Sequence, residues 1–190
     1  MGIIIKMIIG VGFNKRVGKD EFCKIAIRRF PNVKITRLAF ADELKLYIFE
    51  SILRPMGYSI NCFEDQEFYS KLRPVVQAIG MFYRDAVDTE WWIKKVAEKI
   101  RDDSISIITD VRLKNERDWV KSQGGIMIRV NRNTGEQDFH ISENELNDDK
   151  YFDIIIDNNG TLREYEEKVV TVFSDFLGTP KRNKSHCIEV

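Results

Sequence analysis

MIIGVGFNKRVGKD, residues 7–20, sets an apolar strand, a glycine- and base-rich turn and a Gly18-Lys19 step in immediate succession, and an amphipathic helix follows. A strand delivered through such a turn into a helix is built to cradle phosphate. Successive backbone N–H groups and the positive helix N-terminus face the anion, and the lysine follows the β/γ charge. Asn14, Lys15, Arg16, Val17, Gly18, Lys19, Asp20 and Glu21 are the candidate loop residues. The stretch departs from G-x-x-x-x-G-K-[ST] in two places. Strict spacing puts Phe13 where the first glycine belongs, with Gly12 one residue too early, and Asp20 stands where a hydroxyl normally meets Mg²⁺.

Outward from this loop, five runs rich in β-branched residues read as strands: 3–9, 33–38, 104–109, 126–130 and 152–156. The first, third and fifth are almost wholly apolar, as strands covered on both faces are. Helical spacing occupies 19–30, with Phe22, Ile25, Ala26 and Phe30 on one stripe, and 162–177, with Leu162, Tyr165, Val169, Val172, Phe173 and Phe176. A polar helix over 114–123 is stopped by Gly124-Gly125. This alternation predicts an α/β fold with a doubly wound, five-stranded parallel sheet in a single domain over 1–177. Two insertions interrupt it. Residues 40–102 carry several helices, broken near Pro55-Met56-Gly57 and again near Pro74, and the polar stretch 131–150 suits a lid. The tail over 178–190 is expected to be disordered.

Bulk composition narrows the function classes. Thirty basic and thirty acidic residues cancel, so no global field draws the chain to nucleic acid or to an anionic membrane. Three scattered cysteines without CxxC spacing fit reduced thiols and a cytoplasmic location, the host's if the source is a virus. The opening MGIIIKMII carries Lys6 in its middle and is too short to span a bilayer, so it is expected to be a buried strand.

Charged residues gather at the expected carboxyl ends of strands, where ligands of parallel sheets collect. Asp110, at the tip of the third strand and followed by Arg112, is either a helix N-cap or a carboxylate that holds Mg²⁺ or orients an attacking oxygen. Asp42, just after the second strand, poses the same choice, and Lys45 one turn on faces either phosphate or solvent. Arg73, Gln77 and Arg84, four and seven residues apart, share a face on a continuous helix and suit a phosphate and a base edge, although Pro74 could start that helix instead. Trp92, beside Trp91, is either core or a stacking platform. Arg129, Arg132 and His140 flank or lie on the lid, and Asn159-Gly160 follows the fifth strand as a turn near the sheet's carboxyl edge.

Seven short motifs in order resemble the phage-type deoxynucleoside monophosphate kinases of the P-loop nucleotide kinase superfamily. They are VGKD, FADELK at 40–45, LRPVVQAIG with Arg84 and Trp92, ITDVRLKNE, the GG-IMIRV-R run, HISENEL and IIIDNNGTL. The resemblance implies ATP- and Mg²⁺-dependent phosphorylation of a deoxynucleoside monophosphate to its diphosphate. In that frame Lys19, Asp42, Asp110, Arg129 and Arg132 are catalytic, Asp20 and Asp110 meet the metal, and Asn159 and Gly160 line the adenine. Asp42, Lys45, Arg73, Gln77, Arg84, Trp92, Arg112 and His140 hold the acceptor. A small-molecule partner is implied, with neither nucleic acid nor membrane, and the homodimer is left open. Two other readings stand beside it, a phosphomevalonate kinase-like enzyme and a catalytically inactive nucleotide-binding regulator.

Overall fold

In the computed structural model, residues 6–12, 15–133, 145–178 and 188–189 are described. The chain divides into two compact units, Met1–Leu38 with Ile100–Val190, and Ala39–Lys99.

The first unit is a wholly parallel sheet in the order β2-β3-β1-β4-β5-β6. Its strands are β1 (Met7–Gly12), β2 (Ile35–Leu38), β3 (Ile105–Val111), β4 (Ile126–Asn131), β5 (Ile154–Asp157) and β6 (Ile188–Glu189). Ile9, Val11, Ile105, Ile107, Ile128, Val130 and Ile156 pack in one core with helices α1 (Lys19–Arg29) and α6 (Leu162–Gly178). Because side chains alternate along a strand, the equally buried Ile8, Ile108 and Met127 must serve the opposite face. Helix α5 (Lys114–Ser122) contacts β1 and β4, and its Val120 is fully buried.

The helices follow from sequence. α1 carries Asp20 and Glu21 in its first turn and Arg28 and Arg29 in its last, which complements the helix dipole. Both arginines pair with Glu166 of α6 at 3.0 Å, and Phe22 stacks near Phe173 with ring centroids 5.7 Å apart. α6 opens on a reciprocal cap in which Thr161 N donates to Glu164 Oε2 at 2.7 Å and Glu164 N donates to Thr161 Oγ1 at 3.3 Å. α5 ends where expected, with Gly124 in the left-handed region at φ 71°.

Several boundaries differ from the sequence reading. β1 runs from Met7 through Gly10 and Gly12, so the glycines taken for the turn belong to the strand. A Cβ at Gly10 would lie 2.5 Å from Met127 Sδ, and one at Gly12 would lie 2.9 Å from the Phe152 ring. These glycines allow close packing, and the turn begins after them. β3 extends through Asp110 to Val111, past the expected end at 109. The five expected strands gain a sixth from the tail, where Ile188 pairs with Ile154 on the open β5 edge. The remainder of the expected disordered tail, 179–187 and 190, lies outside the described residues, as do 1–5.

The second unit is helical: α2 (Phe40–Ile48), α3 (Gln66–Phe82) and α4 (Trp91–Ala97), with π-turns at Phe49–Leu53 and Tyr83–Val87. Ile48, Phe49, Leu53 and Val76 form its core, against Leu44, Tyr47, Leu72 and Ile79. The break near Pro55 is present as a turn with Gly57 at φ 86°. The break near Pro74 is not, because Pro74 lies inside α3. The proline forgoes one backbone bond, but Asp65 caps the helix through Glu67 N and Phe68 N, and the apolar stripe around Val76 holds it.

Candidate active site

The loop between β1 and α1, the candidate phosphate loop, is held by long-range contacts from its own unit. Gly18 is the N-cap of α1 with φ 108° and, as a glycine, brings no capping side chain of its own to the helix start, the place where first-turn N–H groups can meet an anion. Lys19 is the first helical residue and only 7% exposed. Val17 is buried, while Lys15 is half-buried and Arg16 exposed with φ 60°. Glu21 is half-buried. Asn14 and Phe13 lie outside the described residues. Two residues to which the sequence reading gave no role in the site grip this loop. Asn158 Nδ2 donates to the Val17 carbonyl at 2.7 Å, and the Tyr165 hydroxyl donates to the Gly18 carbonyl at 3.0 Å.

A bulge in β3 shapes the adjoining edge. Gly10 pairs with Ile108 but Gly12 pairs with Val111, so Thr109 and Asp110 together oppose Val11. Such a bulge re-aims side chains and increases the local twist. The Thr109 hydroxyl donates to Asp20 Oδ1 at 3.2 Å, and Arg37 on β2 reaches the same oxygen at 3.0 Å through Nε. Asp20 and Asp110 thus flank one threonine at the carboxyl end of the sheet. Among the described residues no three His, Cys, Asp or Glu side chains group around a common ion position. Mg²⁺ in phosphoryl transfer leans on one or two carboxylates, phosphates and water, so this donor set fits it, with Asp20 Oδ1 already committed to Arg37 and Thr109. Cys23 lies beneath this cluster, and burial pushes its thiol up to about 11, Arg37 opposing and Asp20 adding to the effect.

The lid expected over 131–150 lies largely outside the described residues, and Arg129 beside it has other partners. Arg129 is 8% exposed; its Nε donates to Asn131 Oδ1 at 2.7 Å, and its guanidinium meets the Asn147 carbonyl and Asp149 at 2.7 and 2.9 Å. Burial lowers its pKa while Asp149 and Asp148 oppose that. Its guanidinium braces the two chain segments that flank 134–144. Glu145 adds a second brace by accepting from Lys114 N at 3.2 Å. Arg132 is exposed just beyond β4, and His140, within 134–144, lies outside the described residues. Arg112 is half-buried, and its backbone N–H donates to Glu116 Oε2 at 2.8 Å. Asn159, read as an adenine contact, accepts from Asn133 N at 2.7 Å and donates to Asp157, and Gly160 is exposed beside it.

Six further candidates lie in the helical unit. Asp42 is not an N-cap: α2 starts at Phe40 after Ala39, and Asp42 N bonds the Ala39 carbonyl at 3.2 Å. Lys45 is half-buried, its ammonium lying 4.7 Å from the Tyr69 ring centroid. Arg73 and Gln77 share α3, while Arg84 falls in the π-turn, where its guanidinium meets Met81 Sδ at 3.6 Å. The even helical face expected for all three is therefore displaced at Arg84. Trp92 is 5% exposed and donates its indole N–H to the Gly80 carbonyl at 3.1 Å, which makes it packing rather than platform.

Comparison with known proteins gives these features a family. The model of the deoxynucleotide monophosphate kinase family matches residues 59–169, over half of the chain. The match begins after the β1–α1 loop and does not include it. A protein of Acanthamoeba polyphaga mimivirus named "Putative deoxynucleotide monophosphate kinase" is 38% identical over 66 residues. That stretch covers 34% of this chain and 34% of the mimivirus protein, about a third of the relative's length. Among solved structures, TT1252 from Thermus thermophilus aligns with TM-score 0.47 and 12% identity over 90% of this chain and 98% of that one. Dephospho-CoA kinase from Campylobacter jejuni aligns with TM-score 0.44 and 13% identity over 89% and 96%. At that level of likeness neither bears on substrate or chemistry. With its family match running from within the helical unit through β3, β4 and β5, the chain belongs to the deoxynucleotide monophosphate kinases.

Proposed function

We propose that the protein transfers the γ-phosphoryl group of ATP to a deoxynucleoside monophosphate, yielding ADP and the deoxynucleoside diphosphate. The observation that carries this reading is Lys19, one residue beyond the left-handed Gly18 and at the first turn of α1. Family membership supplies the acceptor class. An oxygen of the acceptor's 5′-phosphate attacks the γ-phosphorus as the bond to the β-bridging oxygen breaks. Such a transfer asks for position and charge rather than covalent help. The loop N–H groups and Lys19 take the β- and γ-phosphates. Asp110 and Asp20 are the carboxylates that would hold Mg²⁺, which would supply charge neutralisation during the transfer. Arg73, Gln77, Arg84 and Asp42 are assigned to the acceptor, with Arg112 and Arg132 as further cations for phosphate; Lys45 and Trp92 support the acceptor unit from behind. The reduced-thiol composition fits a cytoplasmic enzyme. No helix among the described residues is long and apolar enough to cross a membrane.

The test is a coupled assay of ADP formation with Mg·ATP and a panel of deoxynucleoside monophosphates, dephospho-CoA and phosphomevalonate. The reading expects turnover with at least one deoxynucleoside monophosphate above both other acceptors. Turnover with phosphomevalonate alone, or nucleotide binding with no ADP formed from any acceptor, would sink it.

A further inference from the structure

We infer that Asn158 and Tyr165 are positioning residues for the phosphate loop, setting which way its N–H groups point; this rests on the phosphate-binding reading of that loop. In a loop whose N–H groups must face a ligand, the carbonyl groups face the protein and need partners there. Val17 and Gly18 are the last two residues before Lys19, and their carbonyls are the ones held: Asn158 Nδ2 to Val17 O at 2.7 Å and Tyr165 Oη to Gly18 O at 3.0 Å. Rotation of the Val17 peptide would break the Asn158 bond, and rotation of the Gly18 peptide would break both the Tyr165 bond and the helical bond from Phe22 N at 2.9 Å; either turns an N–H away from the anion.

Both side chains are fixed in turn. Asn158 is 6% exposed, its own N–H donates to the Asn131 carbonyl at 2.7 Å, and Asn131 Oδ1 is held by Arg129 at 2.7 Å. Tyr165 is 1% exposed, one turn into capped α6, and burial raises its hydroxyl pKa, so it donates throughout the working pH range. Gly18 completes the fit, since a Cβ there would lie 2.6 Å from Asn158 Nδ2. Only the absence of a side chain lets the amide reach Val17. The same β5–α6 junction presents Asn159 to Asn133 at 2.7 Å, so neighbouring asparagines join the phosphate loop to the exit of β4.

The experiment compares Tyr165→Phe, which keeps the ring, and Asn158→Ala with a core control, Val172→Ala, chosen to destabilise without touching the loop. Two readouts are used. In the first, hydrogen–deuterium exchange of the peptide spanning residues 12–21 is followed in the ligand-free protein. Both variants should exchange faster there by about three- to tenfold, the size of one lost hydrogen bond, and the control should not. In the second, steady-state kinetics should show KM for ATP raised by the same factor, with KM for the acceptor within twofold. Exchange and KM for ATP both equal to the control's would overturn the inference. Faster local exchange in a protein that turns over no deoxynucleoside monophosphate would instead uphold the tether and overturn the kinase reading, so the two failures are told apart.

Discussion

Gly18 is constrained twice, by a φ of 108° and by the amide of Asn158 waiting where a Cβ would stand. Gly18→Ala therefore costs about 1–3 kcal/mol in chemical denaturation, from backbone strain alone. It should also weaken ATP binding, because relief comes through loss of the Asn158 bond. Beneath the same loop, Cys23 offers a pH signature. A thiol that ordinarily ionises near 9 is pushed up to about 11 by burial. Between those values the unfolded chain releases a proton that the folded chain keeps, so this contribution is complete below pH 9 and is lost as pH rises towards 11. Urea melts at pH 8 and pH 10.5 should show a larger stability loss for wild type than for Cys23→Ala. Equal losses would mean that the thiol is not buried as described.

The elements show why some of this was legible and some was not. β3 and β5 announce themselves, since 104–109 and 152–156 are almost wholly apolar runs, as strands covered on both faces are. Gly124-Gly125 is local chemistry and reads directly from its place after the helix. Gly10 and Gly12 misled, because a glycine that admits Met127 or Phe152 looks identical to one that makes a turn. Pro74 misled in the opposite sense: the cost of a proline is local, while the burial of Val76 that offsets it is not. Arg37, Thr109, Asn158 and Tyr165 act on the loop across 17 to 147 residues of sequence, a separation no motif spacing encodes. At this scale the acceptor assignment of α3 and its π-turn is also testable. Arg73→Ala and Arg84→Ala should each raise KM for the deoxynucleoside monophosphate about tenfold or more, as loss of a charge-assisted bond does, and leave KM for ATP within twofold. A rise confined to ATP would reverse the assignment.

For the whole molecule, one arrangement organises the chemistry. The sheet order puts β1 between β3 and β4, so the loop after β1 emerges beside the bulged end of β3 and the exit of β4. Lys19, Asp20, Thr109, Asp110, Asn131 and Asn158 are brought to one edge by that order alone. The helical unit, by itself, carries a cation-bearing helix built on a separate core around Ile48 and Val76. The measurement that goes straight to the claim is transfer of label from [γ-³²P]ATP to a deoxynucleoside monophosphate, with wild type and Lys19→Met run side by side and products separated. The account predicts label in the deoxynucleoside diphosphate for wild type and a drop of about 10²–10³-fold in rate for Lys19→Met, the loss typical of removing one transition-state charge donor, with an unchanged melting temperature. Label left in ATP or released as inorganic phosphate by wild type, or equal transfer by the two proteins, would contradict it.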